Sequence, residues 1–134
     1  MNGVVAVRSL LVANAPLIAL VPQGRIMAGS LPLGSDLPAI ALMSVSGVDR
    51  NLLHPAGHRR VSERVQVTGL AATYPAAKAL MKAVRSAVLD QMPSVSGIDH
   101  VVVHSDAAGP DFVDPETGIY ILTQDLAVSF NETL

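Results

Sequence analysis

Hydrophobic and polar positions alternate most cleanly over residues 60–69. There Val61, Val65 and Val67 fall on one face, with Glu63 the exception, and Ser62, Arg64, Gln66 and Thr68 fall on the other. A period of two predicts a half-buried strand. The pattern then changes. Thr73-Tyr74-Pro75 supplies a capping residue and a first-turn proline, and Ala77, Leu80, Met81, Val84 and Val88 follow at helical spacing, with Lys78, Lys82 and Arg85 facing water. Pro93 and Gly97 stop that helix.

The flanking elements read in the same way. Asn2 can cap a helix over residues 3–13, with Val4, Val7, Leu10 and Leu11 near one face. Asn14 before Pro16 starts a short helical piece over 15–20, ended by Pro22 and Gly24. Residues 25–28 are a short extended segment, and 29–38, with two Gly and two Pro, form a loop. Residues 39–46 are apolar on both parities, which predicts a strand covered on both faces, as in a sandwiched or interface sheet. Residues 47–58 form a long hairpin connection. Residues 98–105, centred on Val101-Val102-Val103, form a strand, and 106–118 a loop ending in a D-P-E-T-G turn. In the last strand, 118–130, Tyr120, Leu122, Leu126, Val128 and Phe130 share one face and Thr123, Asp125 and Ser129 the other. This order predicts an α+β domain over residues 1–134, with a largely antiparallel sheet of about four to five strands and two to three helices on one face.

Composition narrows the class. The chain has 134 residues, half of them apolar and 15% charged. That is one domain, too aliphatic for a disordered tail. With no cysteine there is neither a disulfide framework nor a thiolate metal site. Aromatics are 3%, so aliphatic side chains build the core. Residues 9–24 lack charge, but Asn14, Pro16, Pro22 and Gln23 interrupt them, so no membrane span is expected. The N-terminus has neither a basic region nor a cleavage site of the secretory kind, and the expected state is cytoplasmic and soluble.

Charge is segregated. Residues 1–85 carry all nine Lys and Arg against three acids, whereas residues 86–134 carry eight acids and no Lys or Arg. Two oppositely charged surfaces on one subunit suit head-to-tail association. Ordinary scatter of surface charge fits the same numbers.

The candidate chemistry is sparse. His54 and His58, like His100 and His104, are four apart, a zinc-chelating spacing on a helix. Pro55 and Gly57 break the first pair, and four strand residues span about 13 Å in the second. Surface or interface histidines fit both pairs. His104-Ser105-Asp106 is contiguous, but strand neighbours point to opposite faces and make no triad. The 29–34 glycines lack the Lys-Ser or Lys-Thr and the following helix of a phosphate loop. Asp49, Arg50, His54, His58, Arg59 and Arg60 cluster charge on one loop and strand with little aromatic interleaving for base stacking. That cluster reads as a partner-contacting loop or as a solvated hairpin edge. Asp106, Asp111, Asp114 and Glu116 form the acidic counterpart. No catalytic, cofactor or metal residue is assigned.

Short elements along nearly the whole chain carry a resemblance. R-S-L-L at residues 8–11 is followed by A-P-L-I-A-L-V-P at 15–22, G-R-I at 24–26, L-P at 31–32 and L-P-A-I at 37–40. R-V-Q-V at 64–67, A-A-T-Y at 71–74, A-V-R-S-A-V at 83–88 and D-P-E-T-G-I-Y at 114–120 complete the series, before a closing L-A-V-S-F. In this order and spacing the chain resembles the tail-completion family of long-tailed bacteriophages, which includes tail terminators of the lambda type and similar parts of gene transfer agents. It departs from the pattern at Gly69-Leu70, where such sequences often carry a bulkier or aromatic residue. The resemblance implies a non-enzymatic virion protein of the tail or neck, made in the host bacterial cytoplasm. It would form a hexameric ring that ends tail-tube polymerisation and docks the head-closure protein. Its partners would be further copies of itself, the tail tube protein and the head-closure or neck protein. DNA would pass through the lumen without sequence-specific binding, and no cofactor or membrane would be involved. Another ring or tube protein of the same particle fits the resemblance too, and a small ligand-binding or enzymatic α+β domain is the alternative from the residues alone.

Overall fold

The computed structural model describes residues 2–29, 36–51, 53, 54 and 56–134. The 29–38 loop thus lies mostly outside the described residues, as do Leu52 and Pro55 of the 47–58 connection. In chain order the elements are helices α1 (Asn2–Ala13) and α2 (Ala15–Leu20), a 3-10 turn (Gln23–Arg25), strands β1 (Ile26–Ala28), β2 (Ala39–Arg50) and β3 (His58–Ala71), helix α3 (Tyr74–Val88), and strands β4 (Ile98–Ala108), β5 (Phe112–Val113) and β6 (Tyr120–Thr133).

The strands make one sheet in the order β1-β2-β3-β6-β4, with β5 also bonded to β6. Among the described residues only β1–β2 is parallel. β3 and β6 pair over their full length, from His58 opposite Thr133 to Ala71 opposite Tyr120. This register aligns the apolar parity of both strands, so Val61, Val65 and Val67 share a face with Leu122, Leu126, Val128 and Phe130, all buried. The three α-helices cover that face. α1 contributes Val4, Ala6, Val7 and Leu11, and α3 contributes Ala77, Leu80, Met81, Val84, Ala87 and Val88 to a single core. Each large aliphatic side chain fully buried there stabilises the fold by about 1.5–3 kcal/mol.

Local chemistry explains the helix ends. Asn14 Oδ1 accepts from Leu17 N at 3.0 Å with Pro in the first turn of α2, and Thr73 Oγ1 accepts from Ala76 N at 3.3 Å ahead of α3. Glu63, the charged exception in β3, is buried under the first turn of α1, where its Oε1 accepts from Gly3 N at 3.4 Å. A helix N-terminus favours a carboxylate at such a position. Gly69 sits beneath α3. A Cβ there would meet Met81 Sδ at 2.6 Å and Leu80 Cδ2 at 3.1 Å, so the departure at this position is the close approach of helix to sheet.

Three expectations change. Among the described residues β2 is not covered on both faces: Met43 and Val45 are each about half exposed. The 47–58 connection is shorter than expected, because β2 runs to Arg50 and β3 starts at His58, extended by pairing across the hairpin as far as Arg50 opposite Arg60. The 106–118 loop loses Asp106–Ala108 to β4 and contains β5.

Candidate assembly surface

The basic candidates lie at the distal end of the β2–β3 hairpin. Asp49 and Arg59 are joined there, with Arg59 Nη1 3.2 Å from Asp49 Oδ2. Arg60 reaches across the sheet and donates to His100 O at 2.8 Å and to Asn131 Oδ1 at 3.3 Å. His58 Nδ1 lies 3.3 Å from Ala56 O, and Arg50 and His54 are exposed. Arg50 makes no ion pair among the described residues. The cluster is therefore one region, partly neutralised from within.

The acidic candidates divide among three settings. Asp106 lies on the sheet's uncovered face, 3.3 Å from Arg64 Nε. Arg64 also pairs with Asp125, which is buried, and Gln66 Nε2 donates to the other Asp125 oxygen at 3.2 Å. Hydrogen bonding to Asp125, then the charges of Asp125 and Asp106, raise the guanidinium's proton affinity. Asp111 accepts from the Tyr74 hydroxyl and from Lys78 Nζ at 3.0 Å. These bonds, the tyrosine's first, hold its carboxyl below the ordinary value. Asp114 closes the turn before β6. Its Oδ1 accepts from Glu116 N at 3.0 Å, and Gly118 N donates to its carbonyl at 2.8 Å. The Glu116 backbone bond, then that of the Thr117 hydroxyl, lower its proton affinity. Glu116 is exposed on that turn.

The contiguous His104-Ser105-Asp106 disperses: His104 Nδ1 lies 3.0 Å from Asp90 Oδ1, Ser105 Oγ accepts from Gln124 Nε2 at 3.1 Å, and Asp106 meets Arg64. His100 turns to Asn131 at 3.2 Å. Among the described residues no three His, Asp or Glu side chains converge as metal ligands, and no helix is long and apolar enough to cross a membrane.

A groove of about 440 Å³ runs between α3 and the β4–β5 connection, walled by Lys78, Lys82, Arg85 and Asp111 over Met81 and Leu122. Three of its polar walls are engaged already, since Arg85 donates to the buried Gln124 and Lys78 to Asp111. Sequence reasoning missed a feature beside it, the exposed pair Phe112 and Val113 on β5. Two apolar residues inside an acidic, Gly- and Pro-containing stretch were its only signal.

Comparison with known proteins gives a family and a structural likeness. The family model described as "Tail completion protein gp17" matches residues 5–129. The fold is similar to that of a chain from the solved "Virion of native gene transfer agent (GTA) particle", with a TM-score of 0.70, 17% identity, and coverage of 95% of this chain and 92% of that one. No curated protein matches the sequence.

Proposed function

Because this chain belongs to the tail completion protein family, we propose that it is a non-enzymatic subunit of a ring, a hexamer, on the end of a phage-type tail tube. The ring stops tube polymerisation and gives the head-closure or neck protein its docking surface, and DNA passes through its lumen without sequence-specific contacts. The observation that carries this reading is the family match across residues 5–129, which spans almost the whole fold. Its structural likeness to a gene transfer agent virion chain supports residence in a virion.

The surface features suit a subunit completed by neighbours. The sheet leaves Met43, Val45 and Val48 exposed along β2 and Phe112 and Val113 exposed along β5, and apolar surface of this kind marks association sites. The basic hairpin end, with Arg50, Arg59 and Arg60 beside His54 and His58, meets an acidic partner surface on the tail tube or a neighbouring subunit. The later acids, Asp106, Asp111, Asp114 and Glu116, face the lumen or an adjoining subunit, where negative charge keeps DNA from adhering.

Native mass spectra of the purified protein over a concentration series, alone and with tail tube protein, test the ring. A discrete hexamer under either condition supports it. A monomer under both contradicts it.

A further inference from the structure

We propose that neighbouring copies of this chain join edge to edge, the outer edge of β2 in one against the β4–β5 edge of the next. The inference rests on the ring reading above and names its subunit interface.

The two edges are open in complementary ways. β1 pairs with β2 only at Ile40, Ala41 and Leu42, so from Met43 to Arg50 the outer side of β2 has no strand partner among the described residues. Met43, Val45 and Val48 are 52%, 51% and 63% exposed along that stretch. An open strand edge carrying apolar side chains is a pairing template, and soluble proteins normally blunt or cover it. At the other edge, the chain leaving α3 bridges β4 at Val103, through Val103 N to Gln91 O at 2.9 Å. Beyond that bridge, Ser105–Ala108 and then β5 have no outer strand partner among the described residues, and Phe112 is 55% exposed.

Direction and charge both fit. β2, β3, β6 and β4 are successively antiparallel, so β4 runs opposite to β2. A neighbour in the same orientation, as cyclic symmetry requires, therefore presents its β2 antiparallel to β4. The two open stretches sit at different heights. Ala107 lies level with Met43, through Asp125 and Gln66. Matching the stretches takes a slide of about four residues, roughly 13 Å, and closing a sheet of tilted strands into a barrel requires a stagger of register. With that slide Met43 meets Phe112, and the Arg50 end of the hairpin approaches Asp106 and Asp90 of the neighbour. The pairing is head-to-tail, since the two surfaces differ.

The chain has no cysteine, so engineered cysteines can be cross-linked without background. Met43→Cys and Phe112→Cys both fall on exposed side chains. The double variant, treated with a short bismaleimide under the conditions in which it assembles, is expected to give a ladder ending at the ring size. Each single variant should give no cross-link, and a mixture of the two singles should give dimers and nothing larger. Cross-linking of Met43→Cys alone would mean β2-to-β2 pairing and would overturn the proposal. An assembled double variant with no ladder would overturn this interface and leave the ring reading standing. Failure of the unsubstituted protein to assemble, alone or with tail tube protein, would remove both.

Discussion

Arg64 on β3 and Asp125 on β6 form an ion pair across the sheet face opposite the helices. The Arg64 Nε lies 3.0 Å from Asp125 Oδ2, and the carboxylate is buried beneath the guanidinium. Breaking such a pair from one side leaves a buried charge uncompensated, whereas removing both charges does not. Arg64→Met should therefore lower the urea midpoint more than the double variant Arg64→Met/Asp125→Leu does. A double variant no more stable than the single would show that Asp125 does not depend on Arg64.

Gly69 sets the distance between α3 and β3, because a Cβ at that position runs into Met81 and Leu80. Gly69→Val should destabilise by about 1–3 kcal/mol, the usual cost of overpacking. Adding Met81→Ala should recover part of that loss, even though truncating Met81 is destabilising by itself. Chemical denaturation of the four proteins reads the coupling, and strictly additive effects would contradict the contact.

Thr73 is the N-cap of α3, accepting from Ala76 N. Thr73→Ala should cost about 1 kcal/mol and Thr73→Ser close to nothing. Thermal unfolding distinguishes the two, and equal losses would mean that the cap bond is not the stabilising feature.

Asp111 titrates below its ordinary value of about 3.8 because the Tyr74 hydroxyl and then Lys78 stabilise the carboxylate. A depressed folded-state value means that its contribution is present above the unfolded value and is lost as pH falls through the folded one. The attachment of the β4–β5 connection to α3 should thus weaken only at acid pH, below about 3.8. Tyr74→Phe should raise the Asp111 midpoint, followed by carboxyl-carbon NMR, and by more than Lys78→Gln does. An unmoved midpoint would contradict the bond.

The parts of the fold legible in the sequence were those fixed locally. The alternation around Val61, Val65 and Val67, the Asn14 cap and the Leu80–Val84–Val88 stripe all appear as read, and of Thr73 and Tyr74, both candidates for the cap of α3, Thr73 takes it. What was illegible depends on pairing at a distance. Gly47-Val48-Asp49-Arg50 has no strand pattern of its own and becomes β2 by lying opposite Arg60–Glu63. Phe112-Val113 is too short to show a period and becomes β5 through Tyr120 and Ile121 of β6. The clustering of Asp49 with Arg59 was legible because a hairpin brings its own ends together, whereas the partners of Asp106 and Asp111, on β3 and α3, were not. The doubly apolar stretch of β2 pointed to a strand covered on both faces, sandwiched or at an interface. Among the described residues the second cover is not supplied, and Met43 and Val45 remain exposed.

The basic hairpin end supplies a functional test. Arg50→Glu combined with Arg59→Glu should leave the melting temperature nearly unchanged, since exposed ion pairs contribute little. Tail capping should be lost. Complementation scored by tail length in electron micrographs checks this, and normal tails from the double variant would remove that surface from the proposed contact.

The central claim is that this chain caps a tail tube. It is tested most directly by adding the purified protein to polymerising tail tube protein and measuring tube lengths by electron microscopy. The account expects growth to stop, with shorter tubes carrying an extra ring at one end. Tubes that grow to the same lengths, with no density added at either end, would contradict it.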